Sequence, residues 1–170
     1  MDSESARMSS AAEARFRIDY PNSRPRAVKV VALDEASERV VKRVAREPWQ
    51  GATFFTSVKF DGAPRHEERW SMQAWLGDLA GRTKALVDEV ASADLVVMVS
   101  SAGSGAQPAA VIGEACAVRK VMTTALIIAD EESSNEELSK TLAALRPYAS
   151  MLVIANGDEY IGEMLSALRA

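Results

Sequence analysis

Residues Ala93 to Val118, ADLVVMVSSAGSGAQPAAVIGEACAV, restrict the fold more than any other stretch. Asp94 to Ser100 is short and almost wholly apolar, with β-branched residues at Val96, Val97 and Val99. Such a run suits a strand buried on both faces. Ser101 to Gln107 is a loop of small residues with glycines at 103 and 105. Pro108 then stands where an N1 proline belongs, because its missing N–H is one that a helix start leaves unpaired anyway. Val111, Ile112, Ala115 and Cys116 predict the apolar stripe of the helix that follows. Strand, small-residue turn and helix N-terminus together can present backbone N–H groups to an anion. The same sequence also fits a tight turn whose glycines serve only the backbone.

The rest of the chain repeats this alternation. Ala27 to Leu33 reads as a strand, Asp34 as the N-cap of a helix with Ala36, Val40, Val41 and Val44 inward, and Glu47-Pro48 as its end. Ala52 to Val58 is a second strand, and Asp78 to Ala91 is predicted as a helix with Leu79, Leu86, Val87 and Val90 on one face. Lys59 to Gly77 has no legible period. Val121 to Ala129 is a strand; Ser134 and Glu137 form a capping box opening a helix with Leu138, Leu142 and Leu145 inward. Ser150 to Ala155 is the last strand, and Tyr160 to Leu168 a closing helix with Ile161, Met164, Leu165 and Leu168 on its apolar face. The prediction is one α/β domain over residues 25–170, a Rossmann-like, doubly wound and mainly parallel sheet with helices on both faces. Residues 1–24 read as a poorly ordered arm, in which Phe16, Ile18 and Tyr20 alternate as an edge strand would. With the first strand beside Asp94–Ser100, the loops Asp34–Ser37 and Ser101–Gln107 line the crevice where ligands bind in such sheets.

Composition narrows the function classes. Hydrophobic residues make up 48% and charged ones 26%, and no apolar run approaches a membrane span of about 20 residues. The N-terminus lacks a signal peptide's cationic start and apolar stretch, and the one cysteine excludes an internal disulfide, so a cytoplasmic protein is expected. A net charge of −4 argues against nucleic acid or an anionic membrane as partner. His66, in Arg65-His-Glu-Glu-Arg69, reads as a solvated loop residue, and Cys116 as a buried packing thiol. Asp34, Glu35 and Glu38 read as the acids a helix's first turn favours, rather than as cation ligands, and no spaced His/Cys set supports zinc. Trp70 and Trp75, in an otherwise polar segment, mark the surface expected to meet a protein partner or a second copy.

The order of elements, with VVKRVAREPWQGATFFTS, ADLVVMVSSAGSGAQPAAVIGEA, VMTTALIIA and SMLVIANGDEY, resembles the N-terminal GTP-binding domain of the FtsZ/tubulin family. The likeness runs from about Ala27 to Tyr160. SAGSGAQPAAVIGEA is similar to the family's phosphate-binding loop, with Gly103, Ser104 and Gly105 at its last Gly-Thr-Gly. The resemblance implies a nucleotide site made of Ser101, Gly103, Ser104, Gly105, Ala106 and Gln107, taking GTP or GDP with or without magnesium. Val99, Ser100, Ser101 and Ala102 replace the family's glycines and threonine, and Leu33-Asp34-Glu35-Ala36-Ser37-Glu38 replaces its glycine-rich first loop. The sequence ends before the family's central helix and its acidic catalytic loop. Two readings follow: a non-catalytic relic that binds or scaffolds proteins and needs no cofactor, and a nucleotide-binding module, as an enzyme a GTPase-like hydrolase. The first is the main expectation.

Overall fold

The computed structural model describes residues 25–57, 75–78, 83–157 and 159–170. In chain order the elements are β1 (Val28–Ala32), α1 (Glu35–Val44), β2 (Ala52–Thr56), β3 (Trp75–Asp78), β4 (Thr83–Ala85), α2 (Leu86–Ala91), β5 (Leu95–Ser101), α3 (Pro108–Arg119), β6 (Met122–Ala129), α4 (Asn135–Leu145), a 3₁₀ turn at Arg146–Tyr148, β7 (Met151–Asn156) and α5 (Glu159–Ala167). The seven strands form one sheet in the order β4-β3-β2-β1-β5-β6-β7. Five of them, β2-β1-β5-β6-β7, are parallel, while β3 and β4 extend the β2 side antiparallel. Counted among themselves the parallel strands run 2-1-3-4-5, a common doubly wound order. The expected α/β, mainly parallel fold is therefore the observed one, and β1 lies beside β5 with Val28 opposite Leu95 and Ala32 opposite Val99.

Alternation along the strands divides the core in two. Val28, Val30 and Ala32 of β1 face Val40, Val41 and Val44 of α1 and Ile161, Met164 and Leu165 of α5. Val31 and Leu33 face the other way, into a cluster with Leu86 and Val90 of α2, Ile112 and Cys116 of α3, and Leu145 of α4. Successive side chains of a strand point to opposite faces, so an apolar run such as Leu95 to Val99 in β5 supplies both clusters at once. Helices cover both faces as a result.

The structure corrects the sequence reading in three places. Residues 78–91 are not one helix: Asp78 closes β3, β4 precedes the helix, and among the described residues of this span, which leave out Leu79, Leu86–Ala91 is the helical part. The i, i+3, i+4 spacing of apolar residues is real, but pairing of Phe55 with Asp78 at the β2 edge overrides it. α1 ends at Val44, ahead of Glu47-Pro48, with Ala45 as its C-cap. Its inward face carries Ser37, while Ala36 is only half-buried. Residues 1–24, His66 and Trp70 lie outside the described residues, and Trp75 is placed by its backbone at the start of β3.

Candidate functional site at the switch point

The sheet changes winding direction between β1 and β5, so the loops after these strands form the crevice where such folds bind ligands. The register that sets Ala32 against Val99 carries on beyond the ladder, with the Leu33 N–H donating to the Val99 carbonyl at 2.9 Å. It brings Asp34, just past the exit of β1, against Ser101.

Asp34 has extended backbone and caps α1. Its Oδ1 accepts from the Ser37 N–H at 2.9 Å and from the Ser101 hydroxyl at 2.8 Å. Its Oδ2 accepts from the Ser101 N–H at 2.8 Å and the Ser100 hydroxyl at 3.0 Å. Ser37 completes the capping box by accepting from the Asp34 N–H at 3.1 Å. Burial is the largest single influence on this carboxyl and pushes its pKa up. The bonds from Ser37, Ser101 and Ser100 together outweigh it and hold the group below the ordinary aspartate value. Asp34 is thus an anion bound by the chain itself.

The loop is fastened from its other side by α4. Thr141, fully buried, donates from its hydroxyl to the Ser104 carbonyl at 2.9 Å, and the Gly103 N–H donates to the Glu137 carbonyl at 3.2 Å. The Ala102 N–H reaches the Ile128 carbonyl at 2.9 Å, the Ser104 N–H the Ser101 carbonyl at 3.2 Å, and the Ala106 N–H the Ser104 hydroxyl at 3.2 Å. Ser101, Ala102, Gly103, Ser104 and Ala106 therefore each spend their N–H inside the chain. Gly103 sits at φ 85°, a conformation that strains any other residue, while a Cβ there would only come into ordinary contact with the Glu137 side chain at 3.4 Å, so it is the backbone that calls for glycine. Of the residues read from the sequence as a nucleotide site, Gly105 and Gln107 are exposed, Ser101, Gly103 and Ser104 are half-buried, and Ala106 is buried. Pro108 opens α3 as expected, but Gln107 ahead of it is already αR with no side-chain cap, and the Ala109 N–H turns back to the Ala106 carbonyl at 3.0 Å.

The neighbouring acids are also engaged. Glu38 accepts from the Thr56 hydroxyl at 2.9 Å and pairs with Lys42, while Glu35 is exposed. Among the described residues no group of three or more His, Cys, Asp or Glu side chains is placed to hold a metal ion. No described helix is long and apolar enough to cross a membrane.

Sequence reasoning placed Asp34 beside the loop but missed that it fills it. The sequence carries part of the signal, a strand with Asp34 just past its exit beside one that ends in Ser100-Ser101, but not the register that joins them. Thr141 was missed too, although it lies three residues after Leu138 and four before Leu145, on the stripe that faces inward.

Cys116 lines a cleft of about 380 Å³ between α3 and the 3₁₀ turn, yet is only 1% exposed. Burial pushes its thiol up to about 11 from 9.0. At neutral pH this leaves about a hundredfold less of the reactive thiolate than an unburied thiol has. Labelling of the native protein with a maleimide or disulfide reagent is expected to run at least about a hundredfold slower than labelling in denaturant. Equal rates would show that Cys116 is accessible.

No protein-family model matches the chain, and no curated protein sequence does. What fold and site define together is a class: a Rossmann-like α/β domain whose switch-point loop is closed by a carboxylate of its own.

Proposed function

We propose that this chain is a non-catalytic domain of FtsZ/tubulin type that works by binding proteins, with its ancestral nucleotide site closed. The carboxylate of Asp34 on the Ser101 N–H carries this reading. A phosphate oxygen seeking that donor would have to displace a carboxylate already held by four hydrogen bonds. It would then face the displaced charge. Two unit charges about 6 Å apart repel by roughly 3 kcal/mol at an effective dielectric near 20. A repulsion of that size weakens binding by more than about a hundredfold. An exposed helix start such as that of α3 favours an anion by only about 0.3–1 kcal/mol and does not compensate. The partner surface is assigned to the sequence segment with Trp70 and Trp75, of which Trp75 opens β3 on the β2 side of the sheet.

The test is titration calorimetry with GTP, GDP, ATP and NAD, each with and without magnesium. No binding is expected from the parent at physiological nucleotide concentrations, and no hydrolysis of GTP. Some GTP binding is expected to return in the double variant Asp34→Gly, Glu35→Gly. Micromolar binding by the parent that weakens in Gly103→Val would overturn the reading in favour of a nucleotide-binding module.

A further inference from the structure

We propose that the outer edge of β7 is a homodimer interface, pairing antiparallel with β7 of a second copy across a two-fold axis. Among the described residues β7 ends the sheet, bonded to β6 on one side only. An edge strand offers a row of outward N–H and C=O groups, and proteins usually protect such edges with charge, proline or short length. The opposite edge follows that rule: β4 is three residues long and contains Lys84. β7 does not. Its six residues, MLVIAN, hold no charge and no proline. Met151 is 46% and Ile154 45% exposed.

Charge selects the occupant. β6 and β7 are parallel, so their starts lie at one end of the molecule and their exits at the other. At the starts Arg119, Lys120 and Arg146 are exposed; at the exits Asp130, Glu131 and Glu132 are exposed. The two ends are about 20 Å apart along a strand of this length, beyond the screening length of about 8 Å at physiological salt, so each acts as a separate patch. Antiparallel pairing of two β7 strands sets the basic end of each copy against the acidic end of the other. A second copy thus satisfies both the hydrogen-bonding edge and the charge pattern, and a two-fold contact of this kind closes on itself. The proposal goes beyond the reading of the switch-point site and does not rest on it, since nucleotide titration and sedimentation report on different surfaces.

Sedimentation equilibrium over a concentration series tests it. The full chain is expected to dimerise at micromolar concentration, more weakly as salt rises. Ile154→Lys is expected to raise the dissociation constant at least about tenfold, the effect of about 1.4 kcal/mol. The pair Lys120→Glu, Arg146→Glu makes both ends acidic, and the set Glu131→Lys, Glu132→Lys, Glu159→Lys makes both ends basic. Each variant alone is expected to lose dimer to a similar degree, whereas their equimolar mixture recovers it, because every facing end is then of opposite sign. Circular dichroism identifies any variant that has simply unfolded. A parent that stays monomeric, a dimer indifferent to Ile154→Lys, or a mixture no better associated than its components would overturn the proposal. So would dimerisation only after removal of residues 1–24, which would assign the edge to the chain's own arm.

Discussion

Asp34→Ala is expected to lower the stability of the domain by about 2–4 kcal/mol, more than any other change at the switch point. The carboxylate ties together two pieces of the chain: the start of α1 through Ser37, and the end of β5 through Ser100 and Ser101, where the loop begins. Loss of an N-cap costs about 1 kcal/mol, and each buried donor left unpaired a further 1–3 kcal/mol. Ser100 is fully buried, so water cannot replace its lost acceptor and only the Ser101 carbonyl at 3.4 Å remains to it, whereas half-buried Ser101 can recover part of its bonding from solvent. The total therefore falls short of four full penalties. Urea unfolding of parent and variant measures it, and a difference under about 0.5 kcal/mol would show that the carboxylate is not holding the loop.

The same group gives a pH signature. The folded pKa of Asp34 lies below its unfolded value near 3.8, so its stabilisation is fully present above that value. It is lost as pH falls from there through the folded pKa. Asp34→Asn keeps an oxygen for the Ser101 N–H but cannot titrate. The stability difference between parent and Asp34→Asn is expected to be constant at neutral pH and to shrink below about pH 4. A difference that stays level through the acid range would mean that the fold does not favour the ionised form.

These contacts show why the fold was more legible than the site. β5, Pro108 and the Ser134–Glu137 box announce themselves locally, through a β-branched run, a proline and a spacing of three, and each appears where it was read. The parallel character of most of the sheet followed from alternation, because parallel neighbours need a crossover between them. β3 and β4 were illegible for the opposite reason. Their pairing depends on the β2 edge, and the spacing of Leu86, Val87 and Val90 gives a helical signal that is true for α2 and false before it. At the site the hydrogen-bonding pattern was the illegible part. Serines and glycines in a turn suggest donors open to a ligand. Only the register between β1 and β5 reveals that Asp34 has already taken Ser101, and only α4's face reveals that Thr141 has taken Ser104.

Gly113→Val is expected to cost about 3 kcal/mol or more, and Gly113→Ala about 1–2 kcal/mol, through a contact far from the switch point. Gly113 is buried within α3, where glycine is worth about 1 kcal/mol less than alanine to the helix. Propensity alone would make alanine stabilising. Packing reverses the sign, because a Cβ at this position would lie 2.5 Å from the Tyr148 Cβ and 3.0 Å from its ring. The Tyr148 Cβ cannot swing aside as the tip of a long side chain would. Its backbone is held as well, the Thr123 hydroxyl donating to the Tyr148 carbonyl at 2.8 Å, so the 3₁₀ turn must shift as a unit. Overpacking of this kind costs about 1–3 kcal/mol for one added carbon, and valine's two further methyls add to it. Movement of the turn also opens the cleft beside Cys116, and thiol labelling is expected to quicken in the valine variant along with the loss of stability. The double variant Gly113→Val, Tyr148→Gly removes the opposing Cβ and is expected to be less destabilised than the two single changes added together. Strict additivity, or a Gly113→Ala protein about 1 kcal/mol more stable than the parent, would show that α3 and the turn are not in contact there.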